Sequence, residues 1–570
     1  MKRQVFILFS GLLLGSLSLY GQDLGNLKNQ KPLTLSGGVG AGSNFYTSNE
    51  AYKSRDPFNW NLHGNLTANL YGVALPFSFV VSQYSSSYSA PFSQFGISPS
   101  YKWATVHLGY RSMSLSPLVF DGQSFLGAGV ELHPGKFSFA GFYGRLNKAV
   151  SEDTTYDHRI EPQYSRIGYG FKIGFDHNGN RIQLNAFHAA DKENSIPTLL
   201  DSLNTLRPQA NTVLGGSWNY RFFGVLSFDG DLAFSLLNRD QHYAPLDSIG
   251  HYEVPQFIRT ISPVNNSSVF SYSGRTHIGL NLQGVNLMAG YQRIQPDYLS
   301  LGTPYTVNDV ETFQANAGTT LLKGHVHIQA SGNSQHNNLS KALVTELHSR
   351  SGNLNINANI QSNILINMNV NAAHVFQKDG TLKLNDSLRM NQLMLNYSLS
   401  PSYILTSATR QQTINANFSY TNLDDRNPVT SAQAAGNNIN LSGNYALQFI
   451  QSYVGANAGV TYSVYGQEDF RYQSTGINVG GNVQLLKDHQ LGIQGNIGYF
   501  LNRSKGATVG NNTSFSLNSS YSANKHSFSL YSSYIITPPV NLNPLDKVNR
   551  VPSAVNSRNF SAGISYGYQF

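Results

Sequence analysis

The chain has 570 residues, no cysteine, and only 12% charged residues, where a soluble domain carries about 25%. Disulfides, thiol chemistry and a lipid anchor on cysteine are therefore excluded, and a net charge of +8 with no basic cluster is no argument for nucleic acid. Asn, Ser and Gly fill the gap, with 33 Tyr and 32 Phe beside them, which suits strands that have one apolar and one watery face.

At the amino end, Lys2 and Arg3 precede an apolar run from Val5 to Leu19, and the small Gly21 precedes Gln22. This reads as a secretory signal peptide over residues 1–21, too short for a spanning helix, with one barrel domain expected over residues 22–570. Its loss would remove two positive charges. Strands are predicted near residues 33–42, 58–71, 77–86, 101–109 and 124–132. An even total needs one more, and residues 112–120, turning at Asp121 and Gly122, supply it. The competing reading folds residues 111–123 into the lumen.

The next segments add few candidates for chemistry. Glu152, Asp153, Asp157 and Glu161 mix with His158 and Arg159 and read as a solvated loop. Residues 296–309 combine Pro296, Tyr298, Gly302, Pro304, Tyr305 and Asp309 in a stiff aromatic loop, expected to fold inward and pack the barrel mouth, with ligand recognition as the other reading. His325 and His327 share a face if both lie on a strand, but two ligands without a third make a poor metal site. Chance Ser–His pairs are common in a chain with 16 His, so no catalytic residue, metal or cofactor is assigned.

Farther on, the alternation is sustained. Asn353, Asn355, Asn357 and Asn359 fall on one face and Leu354, Ile356, Ala358 and Ile360 on the other; Asn367, Asn369 and Asn371 oppose Ile366, Met368 and Val370. Asn is a poor β-former, so solvation of that face explains its repeated use. Connections alternate in length. Tight turns are read at residues 133–135, 177–180, 222–224, 283–284, 323–324, 361–363, 487–489 and 522–525. Long loops are read at 149–164, 191–209, 238–268, 295–310, 333–349, 378–389, 421–434, 504–511 and 538–552. That parity is expected of periplasmic turns and extracellular loops. The fold class is all-β: a single-chain antiparallel transmembrane barrel of about 26 strands, with a range of roughly 22–30.

The last strand carries Phe560, Ala562, Ile564, Tyr566, Tyr568 and Phe570 on one face and Ser561, Gly563, Ser565, Gly567 and Gln569 on the other. Tyr566, Tyr568 and Phe570 form an interfacial aromatic cluster. The segment also resembles the C-terminal signal read by the barrel-assembly machinery of Gram-negative bacteria. The first strand follows the leader too closely for a plug domain of the kind a TonB-dependent receptor carries. No segment follows the last strand that could bind peptidoglycan.

Residues 95–103 (FGISPSYKW), 107–117 (HLGYRSMSLSP), 125–132 (FLGAGVEL) and 143–146 (YGRL), with 291–302 (YQRIQPDYLSLG) followed by Asn308 and Asp309, resemble a group of uncharacterised outer-membrane β-barrel proteins of Bacteroidetes. The resemblance implies a compartment and a fold, with no substrate or catalytic residue. The expected role is a channel or transporter for polar solutes or macromolecules, its lumen narrowed by inward loops. The alternative is a non-enzymatic scaffold or surface-assembly barrel. Expected partners are outer-membrane lipid, the barrel-assembly machinery, and a plugging lipoprotein or periplasmic protein.

Overall fold

The computed structural model describes residues 33–50, 55–70, 73–83, 96–151, 162–196, 206–249, 252–253, 256, 262–385, 387, 389–467, 470–538 and 556–570. The leader at residues 1–21, the charged loop at 152–161 and most of residues 538–552 lie outside them.

Twenty-seven strands form one antiparallel sheet. Gly96–Ile97 and Ser100–Tyr101 both lie between Val73–Ser82 and Ala104–Ser112, so they are halves of one wall strand broken at Ser98 and Pro99. Proline has no N–H to give the ladder, and the break falls where it sits. The wall therefore has 26 strands. Leu33–Ser48 pairs with Phe58–Leu70 on one side and with Ser557–Gln569 on the other, which closes the ring. The fold is a large single-chain antiparallel β-barrel.

The expected strand over residues 112–120 does not form. Gly96–Tyr101 takes its place in the wall, and the chain after Ser112 leaves the ladder and turns into the interior. Leu115 N–H donates to Phe120 O at 2.9 Å, and Val119 and Phe120 N–H both donate to Ser116 O at 3.0 Å. The apolar members Met113, Leu115, Val119 and Phe120 are all buried. A strand in the wall would have left one side of this segment facing water, so burial of both faces inside the ring overrides its local alternation.

Paired residues on neighbouring strands share a face, which fixes what points inward. Phe142 pairs with Gly170, Gly170 with Phe187, Phe187 with Val213, and Val213 with Ser235, all on the face that covers the buried core. From Ala233 the same face runs through Ser273, Ile294, Val310 and Asn337. It continues on the next strands as Asn353, Asn355 and Asn357, each opposite an inward Asn of Ile364–Asp379. Leu354, Ile356, Val370 and Met368 consequently point outward. Phe137, Phe171, Leu184, Leu214 and Ile278 do the same on the other side and stand exposed, which makes the apolar band continuous.

At one end of the barrel the connections are tight. His177–Asn180 turns through Asn178 and Gly179 with φ of 53° and 80°, the left-handed pair that matches strand twist. The opposite end carries the longer connections, with one correction. Residues 504–511 are no long loop: Ser504 pairs with Ala507 across Lys505 and Gly506, at φ 49° and 82°, and the strand Ala507–Ala523 takes in the rest. On the last strand Tyr566 packs on Phe528 at 4.8 Å between ring centroids, and Tyr568 meets Phe570 edge-on at 5.2 Å.

The facing assignment yields a paired test. Ile356→Arg puts a guanidinium on the outward band, which costs about 2–4 kcal/mol at a bilayer midplane. It is expected to lower the yield of heat-modifiable barrel refolded into lipid vesicles, while Asn357→Arg refolds like the parent. Equal yields would overturn the assignment of faces.

Candidate functional site in the lumen

The interior is divided. Among the described residues, all the buried apolar side chains except Val464 lie from Met113 to Val310 in sequence. There the strap formed by residues 113–123 meets the loop 296–309, and both pack against the inward face of strands from Ser124 to Ile294. Phe120 lies 4.3 Å from Phe142 and 5.2 Å from Phe187 between centroids, and Phe125 stacks on Phe142 at 4.7 Å.

The wall makes room for the strap with glycine. A Cβ on Gly129 would stand 2.5 Å from Met113 Sδ, one on Gly170 would be 2.6 Å from Leu115 Cδ1, and one on Gly215 would be 2.5 Å from Val119 Cγ2. Gly302 on the loop is equally tight, 2.6 Å from Phe120 Cδ2. At those distances a side chain on any of these glycines would force the strap side chains to shift, so strap and wall are complementary in shape.

Hydrogen bonds then lock strap, loop and wall together. Tyr298 Oη donates to Leu118 O and Ser300 Oγ to Val119 O, both at 2.6 Å, and Asp121 N–H donates to Gly302 O at 3.0 Å. Tyr298 is 1% exposed, and burial pushes its phenol well above the ordinary range, so it remains a donor. Asn211 uses both ends of its amide. It donates to Ser235 Oγ at 2.8 Å and Leu236 O at 3.1 Å, and accepts Leu301 N–H at 3.0 Å. Lys172 Nζ holds Ser114 O at 2.9 Å, and Ser116 Oγ reaches Asp231, which pairs with Arg275 at 2.8 Å.

The six loop residues singled out in the sequence fall in two groups. Tyr298 and Gly302 are buried against the strap, whereas Pro304 and Tyr305 are exposed, Tyr305 at 87%. Pro296 is half-buried at the entry. Asp309 closes the loop and accepts the N–H groups of Asn338 and Leu339 at 3.0 and 2.8 Å. The glycine socket was missed by sequence reasoning. Its trace was the period-two glycine on Arg166–His177, at Gly168 and Gly170.

His325 and His327 do not come together on one face. His325 sits in the turn with Nδ1 3.0 Å from Asn359 O, while His327 is on the strand beside Thr320. No group of three metal-ligating side chains occurs among the described residues. One Ser–His pair exists in the lumen: Ser98 Oγ lies 2.9 Å from His107 Nδ1. His107 Nε2 is 3.7 Å from Glu131, too long for the hydrogen bond that would orient a catalytic imidazole.

Beyond the plugged sector the inward wall is polar, and it is half-buried to exposed along one row as far as Ser474. Gln329, Asn355, Asn369, Ser398, Ser419, Asn440, Ser463, Ser474 and Asn502 pair one to the next in a continuous row across nine strands. None of them carries a charge. A neighbouring row runs through Asn357, Asn367 and Ser400 to Asn417, where Ser400 Oγ donates at 3.3 Å.

No family model matches the chain, and no curated protein matches it. Among solved structures it is similar to the translocation pore of the P pilus usher, with 10% identity and a TM-score of 0.37 over 94% of this chain and 100% of that one. It is also similar to the ferric citrate transporter FecA, at 11% identity and a TM-score of 0.33, covering 93% and 78%. The ferric preacinetobactin receptor from Acinetobacter baumannii follows at 8% and 0.32, covering 94% and 81%. Likenesses this distant carry no argument about function.

The socket can be tested directly. Gly215→Val places methyl groups where Val119 sits, an overpacking that costs about 1–3 kcal/mol. The barrel is expected to close still, but proteolysis should cut within residues 113–123, where the parent is protected. Unchanged protection would mean that the strap is not held by shape.

Proposed function

We propose that this chain is an integral, non-enzymatic outer-membrane barrel that passes neutral polar solutes or macromolecules through a lumen narrowed from within. The continuous row from Gln329 to Ser474 carries the reading: a wall of amides and hydroxyls, half-buried to exposed, offers hydrogen bonds in both directions and no strong charge selection. Placement in a membrane is supported by the ring of paired strands, joined end to end by the first and last, and by the outward apolar band. The leader at residues 1–21 would supply export. Tyr566, Tyr568 and Phe570 would supply the signal for the assembly machinery.

Strap and loop act as a fixed obstruction on one side in this reading. Barrels of 16–18 strands already leave an aqueous channel, and 22-stranded ones hold a plug. A ring of 26 strands needs its interior filled to keep the permeability barrier, and here the filling comes from two wall connections.

Planar-bilayer recording of the purified protein tests this. The parent is expected to show a steady conductance with little cation or anion preference, and deletion of residues 298–307 is expected to enlarge it. A silent barrel that co-purifies with a lipoprotein would replace the channel reading with a scaffold. Orientation follows from loop parity. Cysteine at Ser248, on the long-loop side, should label on intact cells with an impermeant reagent and cysteine at Ser362 should not; the reverse pattern would invert the topology.

A further inference from the structure

The outward wall carries a second feature at the long-loop end of the strands between Val285 and Asp379. Arg293, Glu311, His336 and His348 are consecutive paired neighbours on the outer face, and Arg350 follows two residues below His348. On the next strand Lys378, Phe376 and His374 face the same way. The rings form a column: His336 stacks on His348 at 5.4 Å, His348 on Phe376 at 4.9 Å, and Phe376 on His374 at 4.6 Å. These residues are far apart in sequence, and only the sheet register assembles them.

The charges do not balance. Arg293 pairs with Glu311 at 2.9 Å and Lys341 with Glu346 at 2.7 Å. Arg350 and Lys378 are exposed and, among the described residues, form no ion pair with a carboxylate. Both instead lie over one ring, Phe376, with the Arg350 Cζ at 5.3 Å and the Lys378 Nζ at 5.9 Å from its centroid. One aromatic ring thus gathers two uncompensated cations on the outside of the barrel.

Depth decides what they meet. On Ile364–Asp379 the outward residues from Ile364 to Ala372 are all apolar, and His374 begins the polar rung. The ten steps from Ile364 to His374, at about 3.4 Å each and a tilt of about 40°, climb roughly 26 Å, the height of a membrane's apolar band. The rung therefore stands at the headgroup level. A planar guanidinium and an ammonium, each within 6 Å of the same ring centroid, offer phosphate oxygens paired N–H donors from the first and a point charge from the second.

We propose that Arg350 and Lys378, gathered on Phe376, bind the phosphate of a lipid headgroup in the leaflet nearest the long loops. The site rests on the membrane placement proposed above. The full-length barrel is reconstituted in nanodiscs of phosphatidylcholine doped with bisphosphorylated lipid A or with its dephosphorylated form. After mild detergent extraction, retained lipid A is counted by native mass spectrometry. The parent should keep the phosphorylated lipid, and Arg350→Gln with Lys378→Gln, which removes two charge-assisted contacts, should lower that retention by about tenfold or more. Lys323→Gln, a cation at the tight-turn end, should leave it unchanged. Heat-modifiable migration verifies that each variant is folded. Equal retention of the two lipid forms, or no loss in the double variant, overturns the inference while the membrane placement stands. A barrel that enters no bilayer overturns both.

Discussion

Closure of the hydrogen-bond ladder is the constraint from which the rest of the molecule follows. Every strand needs two neighbours, and Leu33–Ser48 finds its second only in Ser557–Gln569 at the far end of the chain. The ring so formed has no edge strand to pair with another molecule. Its circumference is set by the number of strands, and 26 of them enclose more space than ordinary side chains can fill. Everything notable inside the barrel is a response to that surplus.

Two different responses sit side by side. From Ser124 to Ile294 the inward face mixes Phe125, Phe142 and Phe187 with Gly129, Gly170, Gly215 and Ala233, and Phe120, Tyr298 and their neighbours fill the gaps that the small residues leave. Burying each large side chain is worth about 1.5–3 kcal/mol, which offsets the ordering of two connections inside the ring. From Val326 to Ser504 the inward face is rich in Asn and Ser, most of them half-buried, with glycine among them and, among the described residues, no apolar filling from a wall connection against it.

Much of this was readable in the sequence because period-two alternation is local. The faces of Asn353, Leu354, Asn355 and Ile356 follow from spacing alone. Residues 112–120 show the limit of that logic: Met113 and Leu115 alternate with Ser112, Ser114 and Ser116 as a strand would, yet the glycines facing them lie on other strands. The true wall strand at Gly96–Tyr101 was hidden by its own break at Ser98 and Pro99. Lys505 and Gly506 make a tight turn on the side where length was expected, because the strand beyond them continues past its strongest alternation. The buried part of the 296–309 loop was legible from its Tyr, Gly and Pro content. The outward rung was not, because Arg350 and Lys378 meet only through register.

The strap also bears on how such a barrel comes to be made. Its contacts, from Met113 and Leu115 to Gly129 and Gly170 and from Val119 to Gly215, bridge modest stretches of chain, while ring closure joins the two ends. Loop-closure entropy rises with separation, so the nearer contacts are reached first. The strap and its glycines thereby give an open, growing sheet a hydrophobic nucleus and a set curvature before its last strand arrives. What fills the finished lumen is thus built from contacts short enough in sequence to form ahead of ring closure.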